Sequence, residues 1–312
     1  MSESVTEPYS QPEPPEPVLA AAAERGADWA LIPPDVAAEP PSELRYRPVM
    51  HLAGSIGALV RSRAIVRSLT FRDLRSTYSQ EVLGIAWALL GPVTLMVVFT
   101  FLEGRLGGGI DTQGVWYPVF AYVGILPWTF FANSVSGGGT SLVGNPLLNK
   151  VYAPREVFPI AKILSATVTL LCATVALAIL FIIDGRLPSV TSYWVVPLLA
   201  ILLVFAFGIT LLISGLTVYL RDMRHAIPLL LQLGLFLTPI IYGMDEIDEP
   251  WQNVYVAVNP VAGVIDGMRR CLLYNQAPNL VFTAIAATAA LVWALGAFLV
   301  FKRLETGFAD VS

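Results

Sequence analysis

Residues 163–183 read ILSATVTLLCATVALAILFII, an unbroken run of 21 positions without a charge, held between Lys162 and Asp184. A helix of that length is about 30 Å long, the thickness of a bilayer's hydrocarbon core. A soluble helix would place polar side chains on one face, and this run has no such face. Five more runs resemble it: Val82–Leu102, Val115–Ser136, Tyr193–Leu220, Ala226–Met244 and Leu280–Phe301. The expected fold is therefore an all-α membrane protein with six transmembrane helices. The whole composition agrees. Of 312 residues, 55% are hydrophobic and only 13% are charged, too few charges to cover a soluble surface. The mean hydropathy is +0.67. A disordered chain, a nucleic-acid binder and an ordinary soluble enzyme are excluded.

The net charge of −4 is the sum of two unlike parts. Residues 1–43 hold nine acidic side chains and Arg25 alone as a base, and nine of the 23 prolines fall before residue 43. That stretch cannot bury enough apolar surface to fold and reads as a disordered acidic tail. Its acidic start and lack of an apolar core do not fit a signal peptide. The remainder is net basic. With the N-terminus inside, the inner segments carry 15 of the 19 basic residues. The positive-inside rule then places both termini in the cytoplasm.

Two segments depart from a plain six-span picture. Residues 44–81 precede the spans. Leu52, Ile56, Leu59 and Val60 share a helical face, and Arg61, Arg63, Arg67, Arg72 and Arg75 follow. This reads as a cytoplasmic N-terminal amphipathic helix at the interface, or as a solvated linker helix. The register is imperfect, because Arg63 and Arg67 drift onto the apolar side. Residues 245–279 open on Asp245, Glu246, Asp248 and Glu249 and continue apolar but interrupted, with breaks expected at Pro260 and Gly263. They read as re-entrant helices between spans 5 and 6, on the outer side. The domain organisation is thus a tail (1–43), an interfacial region (44–81), the membrane domain (82–305) and a short cytoplasmic end (306–312).

Several chemistries are missing from the sequence. Lys150, Lys162 and Lys302 are followed by Val, Ile and Arg, so there is no P-loop for ATP. His51 and His225 are isolated, and Cys172 and Cys271 have no metal-ligand spacing. No Asp, Glu or Lys lies near the middle of a run, as ion-coupled carriers require. The expectation is a conduit that is not itself an enzyme, binds no cofactor and is driven by something else.

Five motifs then occur in order: RDLRSTYSQEVLGIAWALLGP at 72–92, YPVFAYVGILPWTFF at 117–131, NPLLNKVYAPREVFPIAK at 145–162, YLRDMRHAIPLLLQLGLFLTPIIY at 219–242, and an Asn-Pro at 259–260 followed by Arg269. Together they resemble the membrane subunit of ABC-2 type polysaccharide exporters, the type V exporter fold of the O-antigen (Wzm-type) and teichoic acid exporters. Mycobacterial galactan exporters are the most similar of these. The resemblance spans roughly residues 50–305. It implies a homodimer paired with two copies of a separate ATPase, which would bind ATP and Mg. It also implies a polyprenyl-pyrophosphate-linked polysaccharide as cargo, in the plasma membrane of a bacterium. A drug or small-lipid exporter of the same architecture is the alternative.

The resemblance assigns roles by position. Leu147, Leu148, Val151 and Tyr152 would form the apolar face of a coupling helix that docks on the ATPase, with Lys150, Arg155 and Glu156 on its rim. Arg221 and Asp222, in the second inner loop, would face the ATPase or cap a span. Apart from the resemblance, Arg72 and Arg75, nearest the first span, read as helping to receive the pyrophosphate head group, since arginine pairs with phosphate bidentately, or simply as part of the positive-inside signal. Trp87, Phe236 and Tyr242 would line the channel, where aromatic planes can meet the C–H faces of sugar rings.

Overall fold

Inside a bilayer a backbone must satisfy its own hydrogen bonds, so apolar runs become helices. The computed structural model describes residues 57, 59, 61–78, 84–106, 110–145, 153–186 and 190–308. Among them are nine α-helices and no strand: α1 (Arg63–Tyr78), α2 (Trp87–Leu106), α3 (Tyr117–Gly139), α4 (Val157–Ile183), α5 (Val195–Tyr219), α6 (Met223–Leu237), α7 (Glu249–Val258), α8 (Pro260–Leu273) and α9 (Leu280–Glu305). All belong to one unit, Pro48–Ser312. The acidic tail of residues 1–43 lies outside the described residues.

Five helices are long and apolar enough to cross a membrane: α2, α3, α4, α5 with the short 3-10 turn before it, and α9. The expected fifth run, Ala226–Met244, is divided. Its helix, α6, has 15 residues and ends at Leu237, which gives it about 22 Å of length. Proline disfavours the helical region for the residue before it; α6 tolerates this at Pro228, but before Pro239 the chain leaves the helix, and Thr238 is extended with φ −84° and ψ 141°.

The hub is α3, with 18 of its 23 residues buried. It packs against α2, α4, α5, α6 and α8. The α5–α9 pair is the most extensive contact. It is drawn together by a missing side chain, since a Cβ on Gly208 would lie 2.7 Å from Ala294 Cα. By contrast, α2 buries a single stripe of Ala88, Pro92, Met96 and Phe99. In α6 only Ile227 is buried. Both therefore carry large apolar side chains on open faces.

The interfacial expectation is refined by contacts. Thr70 donates to the Ala161 carbonyl at 3.4 Å, Asp73 pairs with Lys162, and Tyr78 and Thr169 share a hydroxyl contact of 3.0 Å. These contacts advance together, so α1 runs beside α4 in the same direction for about two turns. The two short helices expected after residue 244 exist as α7 and α8, and the break between them is at Asn259–Pro260. Gly263 is no break. It lies inside α8, where a Cβ would come 2.8 Å from Val256 Cγ1.

Candidate coupling face, conduit wall and helix-end cage

The helices α2, α4 and α6 start, and α3, α5 and α9 stop, at one end of the bundle, here termed the basic end. The segment expected to couple to an ATPase joins α3 to α4 there. Its Leu147, Leu148, Lys150, Val151 and Tyr152 lie outside the described residues. The two residues that follow are described, and they are anchored inward. Arg155 stacks on Phe308, its guanidinium carbon 5.1 Å from the ring centroid. Glu156 does not form a rim. Its side chain is 0% exposed and pairs with Lys302, which also bonds Glu305 at 2.8 Å. Two of its charges are favoured by a helix dipole, Glu156 at the N-cap of α4 and Lys302 in the last turn of α9, whereas Glu305 at the end of α9 is held by its bond to Lys302. The Tyr219 hydroxyl, at the end of α5, donates to the Leu304 carbonyl at 2.7 Å. These contacts tie the ends of α4, α5 and α9 to one another.

Arg221 and Asp222 are exposed in the α5–α6 turn. Asp222 occupies the N-cap position of α6 but makes no side-chain cap bond. Arg72 and Arg75 are both exposed on α1, and Arg72 lines a cavity. That cavity, of about 360 Å³, is closed by Asp73, Lys162, Thr140, Ser141 and Asn145.

A larger cavity of about 1130 Å³ opens between α1, α2, α3 and α4, with Trp87, Pro92, Thr129, Asn133 and Thr169 among its walls. Trp87 is 52% exposed and Phe236 54%. The two are not brought together. Phe236 packs edge-to-face on Phe99 at 6.4 Å, about 18 Å along α2 from Trp87. Tyr242 is turned back onto the protein, and its hydroxyl donates to the Leu237 carbonyl at 3.0 Å. Of the three expected channel aromatics, one lies near the basic end, one lies on the far half of α6, and one serves the backbone.

That last contact belongs to a cage that the spacing of the motifs did not indicate. Ending α6 at Leu237 frees a row of carbonyls, and each unsatisfied one is costly in apolar surroundings. Arg269 of α8, only 4% exposed, supplies three donors. They reach the Pro239 carbonyl at 2.9 Å, that of Tyr242 at 2.7 Å and that of Ile240 at 2.5 Å. Its guanidinium also lies 3.6 Å from the centroid of Phe120 on α3. Tyr117 donates to the Ile241 carbonyl at 3.1 Å, and Tyr255 to that of Leu237. Asn259 bonds the Thr238 hydroxyl at 2.9 Å. The signal that could have found this cage was Thr238–Pro239, which demands donors from elsewhere in the chain.

Five helices long and apolar enough to cross a membrane, packed about a largely buried hub helix, have the architecture of a multi-pass membrane domain. The chain belongs to the ABC-2 type transporter family, whose model matches residues 65–273. It is similar to the O-antigen export system permease protein RfbA of Myxococcus xanthus, with 28% identity over 256 residues, 79% of this chain and 95% of the relative. It is also similar to RfbA of Klebsiella pneumoniae, with 26% identity over 245 residues, 78% of this chain and 93% of the relative. The polysialic acid transport protein KpsM of Escherichia coli is 23% identical over 220 residues, 68% of this chain and 82% of the relative.

Proposed function

We propose that this chain is the membrane permease of an ATP-driven polysaccharide exporter. The observation that carries the reading is its similarity, over nearly the whole length of the relatives, to permeases named for O-antigen export. Two copies pair through the open faces of α2 and α6, and two copies of a separate ATPase bind at the basic end. The polymer passes between the two permeases, carried on a polyprenyl pyrophosphate, and is a cell-wall galactan or an O-antigen-like chain. Both termini face the cytoplasm of a bacterium, and α6 with the α7–α8 pair forms the fifth crossing and its re-entrant extension. The sidedness of arginine use supports this orientation. Arg186, Arg269 and Arg270, on the outer side, are tied into local bonds. Arg61, Arg63, Arg67, Arg72 and Arg75 are exposed at the basic end.

In this reading ATP-driven motion enters through Leu147, Leu148, Val151 and Tyr152, with Lys150, Arg155, Arg221 and Asp222 around them. It reaches the bundle through the Glu156–Lys302–Glu305 triad. Arg72 receives the pyrophosphate at the small polar cavity, assisted by Arg75. Trp87 borders the path at entry and Phe236 further along it. The test is depletion of the protein in growing cells, followed by identification of glycolipids. A lipid-linked polymer should accumulate on the cytoplasmic side. Accumulation of a small lipid or drug, with normal glycolipids, would replace this reading with a small-molecule exporter.

A further inference from the structure

The misplaced register of Arg63 and Arg67 has a structural counterpart. Between α1 and α4 runs a groove of about 580 Å³, almost wholly apolar, with these two arginines among its walls. They stand one helical turn apart on the same face of α1. Both are exposed, and neither has an ion-pair partner among the described residues. Beyond them the groove continues over Phe71, Leu74, Leu164 and Val168. Because α1 and α4 run in the same direction, the two cations sit at the basic end and the apolar floor leads away from it. Phe71 is 60% exposed and Leu164 40%, so the groove opens away from the protein core.

We infer that this groove is a binding site for one anionic phospholipid of the surrounding leaflet, its phosphate between Arg63 and Arg67 and one acyl chain laid over Phe71, Leu74, Leu164 and Val168. Charge complementarity selects the occupant: a solvated peptide has no use for the apolar floor, and a zwitterionic lipid gains little from two adjacent guanidinium groups. Position separates the site from the transport path. On α4 the groove is formed by Ile160, Leu164 and Val168, whereas the large cavity is formed by Ala166, Thr169, Leu170 and Ala173. At 100° per residue these sets lie on opposite sides of the helix. The lipid is held beside α1 rather than carried, and it fixes α1 against α4 together with the Asp73–Lys162 pair. Only the naming of the leaflet rests on the orientation proposed above.

The test uses the full chain, purified in detergent, with a phosphatidylglycerol that bears a photoreactive group in its acyl tail. Labelling should fall on residues 63–74 and 160–168. Unlabelled phosphatidylglycerol should displace it, and phosphatidylcholine of the same chains should not. Replacing both arginines (R63Q with R67Q) should weaken labelling by about 30-fold, at roughly a fivefold loss per charge. Val168→Trp should block the floor and abolish labelling with both arginines present and the thermal unfolding temperature unchanged. R72Q should have no effect. Undiminished labelling of the double variant, equal displacement by phosphatidylcholine, or stronger displacement by a polyprenyl phosphate would each overturn the assignment. The last result would give the groove to the carrier lipid instead.

Discussion

Arg269 shows how one side chain can decide where a membrane helix ends. Its three carbonyl bonds replace the helical bonds that Pro239 forbids, and its stacking on Phe120 ties them to the hub helix. Replacing it with Met should destabilise the protein by about 3–5 kcal/mol, since several buried acceptors lose their donors at once. R269K should fall between, because an ammonium cannot reach three carbonyls in one fork. Thermal unfolding of the detergent-purified variants measures both. The neighbouring Gly124 is constrained by the same contact. A Cβ there would lie 2.9 Å from the Ile240 carbonyl oxygen, and Gly124→Ala should cost about 1–3 kcal/mol in the same measurement. At the basic end, Lys302→Met would strand Glu156 and Glu305 as buried carboxylates. A loss of about 3–5 kcal/mol is expected, and substituting Gln for both glutamates alongside it should restore most of the unfolding temperature.

Among elements, α5 and α9 are held by backbone proximity at Gly208–Ala294 and, nearer their C-terminal ends, by Phe298 and Phe301 packed with Leu211. Apolar burial gives little drive between helices in lipid, so packing contacts must supply it. Gly208→Val would push α5 off Ala294, and size-exclusion of the solubilised variant should show a broadened or aggregated profile in place of a single peak. The segment at 145–152 makes a different prediction. If it docks on an ATPase, Leu148→Glu should leave the permease inserted and thermally unchanged. ATP hydrolysis in the reconstituted complex should then proceed without polymer export, and export at the wild-type rate would remove the docking role.

For the whole molecule, the division of labour between hub and flanks is the main structural result. α3 is buried except along a stripe that includes Thr129 and Asn133 at the large cavity, whereas α2 and α6 are open over most of their surface. The buried hub ties the bundle together, and the open faces leave large apolar side chains uncovered within this chain. Much of this was legible in the residues. Runs such as 163–183 announced their helices, because a bilayer-length apolar stretch has few alternatives. The missing P-loop and the absence of charge in the middle of the apolar runs raise the expectation of an energy source on another chain. The fifth run reads as a crossing to Met244 with a proline kink at Pro239, whereas the helix ends at Leu237. Apolarity alone does not distinguish helix from caged coil when both are shielded from water.

The sequence by itself determined the solvent, the helices and the asymmetry of charge, since these follow from local composition and from the cost of polar groups in hydrocarbon. Only the tertiary structure decided which charges are used and how. Glu156 points inward to Lys302, Arg269 closes on carbonyls about thirty residues away in the chain, and Arg63 and Arg67 overhang a groove while Arg72 lines a cavity. Those assignments depend on which distant backbone lies within hydrogen-bond reach. No local pattern carries that information.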